Sequence, residues 1–128
     1  MVTAMQPPRV AAVAFGAAYV AVGVVGFVAG GFGGTAVVLG FQVTLLHNLV
    51  NIAIGATGLG AYGLGGPAAK AWAESAGAVL GLLAIVGIVS SNPFGVIPLG
   101  GMDIVLHAAS AVILLYVGFA GDPADPQA

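Results

Sequence analysis

Two histidines, two asparagines and an aspartate are the side chains that could do chemistry within an otherwise apolar sequence. His47, Asn48 and Asn51 lie in one apolar run, and Asp103 and His107 lie in a later one. Because Asp103 precedes His107 by one helical turn, the carboxylate and the imidazole share a helix face. Carboxylates orient imidazoles in catalytic triads and around metals. The same pairing can also serve only to give a buried histidine a hydrogen-bond partner.

Several roles are open to this polar cluster. One is a structural set of hydrogen bonds between helices. A second is metal binding by His47, Asp103 and His107, and a third is axial ligation of a haem by the two histidines. A proton or ion path reaching them from Glu74 is a further alternative, although mainly glycine and alanine lie between. We expect the structural cluster, with no catalytic residue, no cofactor and no metal.

The same run contains Gly58, Gly60 and Gly63 in the spacing of a dinucleotide-binding loop. In such a loop the glycines follow a strand and open a helix. Here they end an apolar helix that begins before His47, so we interpret them as helix-packing residues. The polar and small residues of this helix recur every three or four positions, which predicts one face directed at other helices.

Composition places the chain in a membrane. Hydrophobic residues make up 60% of its 128 positions and charged residues only 5%, against roughly 25% charged residues in soluble domains. The net charge of -2 offers no basic surface for nucleic acid. The chain has no cysteine, which excludes disulfides and thiolate chemistry.

Four segments are long enough to cross a bilayer. The sequence therefore predicts an all-α protein with a single domain over 1–128, a bundle of four transmembrane helices, and a short disordered acidic tail at 121–128. Arg9 and Lys70 flank the same side of this bundle, so the positive-inside rule places both termini in the cytoplasm. Trp72 and Tyr62 fall near that interface. The spans are expected at about 9–29, 41–63, 68–89 and 102–120.

Glycines spaced at three or four positions predict where these helices pack closely. The chain also repeats itself, because VVGFV at 24–28 resembles IVGIV at 85–89 and each is followed by Leu-His. This repetition predicts two tandem helical hairpins in parallel orientation. Tyr19 and Ser110 lie on the inward faces of the first and last helices. The expected packing glycines are Gly23, Gly26, Gly30, Gly55, Gly58, Gly77 and Gly81.

The order of these motifs resembles the small actinobacterial four-helix membrane proteins grouped as domain-of-unknown-function family 4383. The most specific parts are His47-Asn48 followed by Gly55, and Asp103 followed by Leu106-His107. The sequence departs from the family pattern at Asn51, where a second histidine is usual, and at Gly100, where an asparagine is usual. The resemblance implies a multi-pass membrane protein and no established activity.

These observations together predict an accessory or interaction protein of the cell membrane that is not an enzyme. Its expected partners are the lipid bilayer and other membrane proteins or a second copy of itself. The alternative is a metal-binding or proton-handling protein that uses His47, Asp103 and His107 near the outer leaflet. A small-solute channel would need a continuous polar path, which the sequence does not offer.

Overall fold

Four helices and one short β-hairpin make up the structure, a computed structural model that describes residues 6–30, 36–95 and 97–120. Helix α1 spans Pro7–Gly30, α2 spans Leu45–Leu64, α3 spans Gly66–Val89 and α4 spans Met102–Ala120. Strands β1, Ala36–Val38, and β2, Phe41–Val43, precede α2. A single 3-10 turn, Pro93–Gly95, lies between α3 and α4.

The helix boundaries agree with the expected spans except at the start of the second. Residues 41–43 form β2 and not the first turn of a helix, so α2 begins at Leu45. Leu39 and Gly40 both have positive φ angles, of 51° and 86°. A two-residue turn of that kind suits the twist of a hairpin, and the β-branched residues beside it favour strands. The tail at 121–128 lies outside the described residues.

Helices α1 and α2 pack antiparallel along their length through glycines. A Cβ atom added to Gly16 would lie 2.9 Å from both the Gly55 carbonyl oxygen and the Leu59 backbone nitrogen. Further along the pair, a Cβ on Gly23 would lie 2.8 Å from the Asn48 carbonyl oxygen. The missing side chains therefore allow the two backbones to touch.

Helices α3 and α4 form an equivalent antiparallel pair. Here a Cβ on Gly77 would lie 2.8 Å from Leu115 Cγ, and a Cβ on Gly118 would lie 2.7 Å from Glu74 Cγ. Leu80 and Leu114 are fully buried, together with small residues of α1 and α3. This apolar core occupies the half of the molecule away from the hairpin.

Three helices among the described residues, α1, α3 and α4, are long and apolar enough to cross a membrane. Helix α2 has 20 residues, which corresponds to about 30 Å, but it is not one of the three. Its hydropathy is lowered by His47, Asn48 and Asn51. A bundle with four spans is therefore not confirmed, whereas a mostly helical chain with membrane-length apolar helices is.

Candidate functional site

His47 is held at the start of α2 by the residues just before it. Thr44 caps the helix, and its hydroxyl oxygen accepts a hydrogen bond from the backbone nitrogen of His47 at 3.2 Å. The ring nitrogen Nδ1 donates to the carbonyl oxygen of Gln42 at 3.1 Å. A carbonyl oxygen can only accept, so this bond places a proton on Nδ1. In the neutral ring the other nitrogen, Nε2, then carries a lone pair.

Asp103 and His107 face His47 from the start of α4. Gly101 has a φ angle of 64°, a left-handed turn that glycine adopts at little cost and that leads the chain into the helix. Asp103 lies in the first turn, where a carboxylate is favoured by the positive end of the helix dipole. His107 follows one turn later on the same buried face.

The three side chains form a compact buried cluster, which we call the His-Asp-His site. His47 Nε2 lies 3.4 Å from Asp103 Oδ1, and the two imidazole centroids are 6.1 Å apart. Each residue offers one ligand atom, and these atoms all lie within 4.8 Å of one another. The exposed fractions of His47, Asp103 and His107 are 2%, 2% and 1%.

The arrangement lacks a hydrogen-bond donor or a cation at its centre. His47 Nε2 and an ionised Asp103 carboxylate are both acceptors, so a proton or a metal ion is needed to join them. His47 Nε2 and His107 Nδ1 are buried and have no hydrogen-bond partner among the described residues. The distance of 3.4 Å is longer than the roughly 2.7–2.9 Å of a charge-assisted hydrogen bond.

That distance fits two ligands of one ion better. Zinc bonds of about 2.0–2.2 Å place neighbouring tetrahedral ligands about 3.4 Å apart. Closing all three residues on an ion would need a side-chain movement on the order of 1 Å. Two imidazoles and a carboxylate are a ligand set for divalent transition metals.

Of the two asparagines of the expected cluster, Asn48 points away from this site. The Asn48 amide packs against Gly26 of α1, in the space that a Cβ at Gly26 would occupy. Asn51 is buried one turn further along α2. The side-chain oxygens of both residues accept no hydrogen bond within the described ranges. The structure thus brings His47, Asp103 and His107 together and directs Asn48 toward a different helix.

A second polar contact, not expected from the sequence, lies below the site. The Tyr19 hydroxyl of α1 donates to Ser110 Oγ of α4 at 3.0 Å, and both residues are buried. The sequence indicated that each faces inward, but it gave no signal that they pair. The Gln42 carbonyl was also missed, because a backbone acceptor has no residue type that could mark it.

The opposite end of the molecule carries the two basic residues. Arg9 donates to the Tyr62 carbonyl oxygen at 3.3 Å and lies over the Tyr62 ring. Lys70 donates to the Gly118 carbonyl oxygen and pairs with Glu74 at 2.5 Å. Each cation thus caps the last turn of the helix that packs against its own, where the helix dipole is negative. Glu74 lies far from the His-Asp-His site along α3.

The glycines expected at helix contacts differ in how closely they are packed. Gly23, Gly26, Gly55, Gly58 and Gly77 leave no room for a Cβ. At Gly30 and Gly81 a Cβ would only make ordinary contact at 3.5 Å. Gly87 and Gly118, which the sequence did not single out, are as crowded as the first group. Gly58, Gly60 and Gly63 all lie inside α2, so they form part of a helix and not a phosphate-binding loop.

The chain has apolar helices of membrane length, and these helices enclose a polar cluster. It is therefore a helical protein suited to a membrane. The model of the family described as domain of unknown function, DUF4383, matches residues 9–120. The chain belongs to this family, which confirms the resemblance drawn from its motifs. No curated protein and no solved structure matches it. The actinobacterial source stays a prediction.

Proposed function

We propose that the chain is a membrane protein of four spans that binds one divalent transition-metal ion between α2 and α4. The observation that carries the proposal is the His-Asp-His site, with its ligand atoms within 4.8 Å and two buried ring nitrogens unpartnered among the described residues. Imidazole and carboxylate ligands favour Zn²⁺ or Fe²⁺ over Mg²⁺ or Ca²⁺.

The fourth span is argued from packing. Arg9 at the start of α1 contacts Tyr62 near the end of α2, and Gly26 near the end of α1 contacts Asn48 at the start of α2. Helix α2 therefore extends over the same depth as α1. Its polar residues His47, Asn48 and Asn51 are buried, so crossing the bilayer would not expose them to lipid.

An ion at this site would also join the two halves of the protein. The main packing pairs α1 with α2 and α3 with α4, whereas His47 lies in the first half and Asp103 and His107 lie in the second. A bound ion would thus fix α2 to α4. This proposal takes up the metal-binding alternative of the sequence analysis and not the accessory role without metal that was expected there.

Metal titration of the protein purified in mild detergent tests the proposal. Co²⁺ serves as the probe because its absorption reports coordination, and elemental analysis after Zn²⁺ loading gives the stoichiometry. We expect one ion per chain. Asp103→Asn should weaken binding by more than about tenfold, since removing even an outer-shell partner costs about 10–100-fold.

Glu74→Gln is the matched control, because it makes the same carboxylate-to-amide change at the other end of the protein. It should bind Co²⁺ as the unmodified chain does. Absence of bound metal from the unmodified protein at millimolar Co²⁺ or Zn²⁺ would overturn the proposal. In that case the three residues form a hydrogen-bond cluster, and Asp103→Asn and His107→Gln should be milder than leucine substitutions at the same positions.

A further inference from the structure

A polar cavity opens at the hairpin end of the molecule, beside the His-Asp-His site. Its volume is about 210 Å³, enough for several water molecules. The hairpin turn forms one wall, and the connection between α3 and α4 forms the other. We call it the vestibule, and its lining residues are Gly40, Gln42, Ser91, Asn92, Gly100 and Gly101.

Two lining residues connect the vestibule directly to the metal-binding side chains. Gln42 presents its side chain at the exposed surface, and its carbonyl oxygen holds His47 Nδ1. Gly101 begins the turn that leads to Asp103. The wall between the cavity and the site therefore consists of the short strand β2 and the first turn of α4.

The loop on the α3 side is held in place by backbone hydrogen bonds. The Ser91 carbonyl oxygen accepts from the backbone nitrogens of Leu99 and Gly100, at 2.8 and 3.1 Å. These bonds keep Asn92 and Ser91 at the rim of the cavity. Amide and hydroxyl groups can replace some of the water around a cation without holding it as a carboxylate would.

Two other directions from the site are apolar within residues 6–30, 36–95 and 97–120. Toward the opposite end, Leu80 and Leu114 are fully buried and fill the core beyond Ser110. The larger cavity beside α1, of about 350 Å³, is lined by apolar residues such as Val22, Val25 and Phe41. A hydrated cation loses its water without compensation on either route.

We propose that the metal ion enters and leaves the His-Asp-His site only through the vestibule, from the aqueous phase on the hairpin side of the membrane. This inference rests on the proposed metal binding. It makes the site a one-sided receptor for an external ion, and not a step in a path across the membrane. The wall that separates the site from the vestibule is short, because β2 has only three residues and α4 contributes a single turn.

The absence of cysteine from the chain permits a direct test. Asn92→Cys provides a single thiol at the rim, which is then modified with a bulky, membrane-impermeant maleimide. Co²⁺ absorption after rapid mixing gives the loading rate, and equilibrium titration gives the number of ions bound. We expect the label to slow loading by at least tenfold and to leave the stoichiometry unchanged.

Leu64→Cys is the control, because Leu64 is 83% exposed and lies at the opposite end between α2 and α3. Its label should leave the loading rate unchanged. An unaffected rate in labelled Asn92→Cys, or equal slowing in both variants, would overturn one-sided access while metal binding by the unmodified protein still stands. Failure of the unmodified protein to bind Co²⁺ would instead remove the proposed function and this inference together.

Discussion

Replacement of Gly16 by alanine should separate α1 from α2 and destabilise the protein. The added methyl group would lie 2.9 Å from the Gly55 carbonyl oxygen and 2.9 Å from the Leu59 nitrogen. Both atoms belong to the backbone of α2, so neither can rotate away as a side chain would. The two helices must move apart, and their other close contacts weaken with them.

The expected change in the free energy of unfolding is the sum of two opposing effects. Overpacking of a tight contact costs about 1–3 kcal/mol, and two simultaneous backbone contacts place Gly16 in the upper part of that range. Alanine in place of glycine inside a helix gains up to about 1 kcal/mol. The expected net loss in the free energy of unfolding is therefore about 1–2 kcal/mol.

Gly60→Ala separates these two effects. Gly60 lies in α2, the helix that Gly16 contacts, is exposed, and has no atom within 4 Å of an added Cβ. The substitution should therefore stabilise the protein by about 0.5–1 kcal/mol. Reversible unfolding in mixed detergent micelles measures both variants on one scale. If Gly60→Ala destabilised the protein as much as Gly16→Ala does, close backbone approach would not be the cause.

Three further predictions concern the ends and middle of the bundle. Lys70→Met should lower the free energy of unfolding by about 1 kcal/mol, because the last turn of α4 loses its donor, and the same detergent titration measures the loss. Trp72→Phe should cost at least about 0.5–1.5 kcal/mol in that titration, because the Trp72 indole donates to Thr57 at 3.1 Å and part of a buried ring is removed as well; an unchanged stability would contradict both contributions. A reporter fused after Ala128 should be active in the cytoplasm and one inserted at Phe94 outside, and the reverse pattern would contradict the positive-inside assignment.

The helices follow from the sequence because apolar length alone nearly determines them. Helix α4 begins and ends where hydropathy and the Gly100-Gly101 pair predicted. The hairpin was missed for the same reason, since Phe41 and Val43 are as apolar as the helix that follows them. Only the two-residue turn at Leu39-Gly40 distinguishes the strands, and Leu at the first turn position is not a residue type that marks it.

The sequence predicts how deep along its helix each site residue lies and which face of the helix carries it, but not which neighbours it meets. His47, Asp103 and His107 are each at the hairpin end of an inward-facing surface, and the structure brings them together. Asn48 shares that depth, but successive helical residues point about 100° apart, so it meets Gly26 of α1. Which neighbour lies in that direction depends on the packing of α1 against α2, which no local pattern specifies.

Two hairpins built alike would explain how such a site arises. Arg9 and Lys70 each cap the other helix of their own hairpin. Gly16 and Gly77 each lie at a close contact between the two helices of a hairpin. If the hairpins are copies related by an axis along the membrane normal, His47 and His107 occupy equivalent positions. Equivalent residues that face such an axis must approach each other.

Such a duplication would supply two imidazoles, but it would not supply a carboxylate. In that register the position matching Asp103 would be Val43, which is buried and apolar and lies in β2 and not in a helix. One carboxylate therefore lies beside the two histidines, and it belongs to only one half of the protein. A single negative charge leaves a divalent ion partly uncompensated, which favours exchange through the polar vestibule over permanent retention. A carboxylate at position 103, with no counterpart in the first hairpin, would thus convert a packing contact between two hairpins into a site that can take up and release an ion.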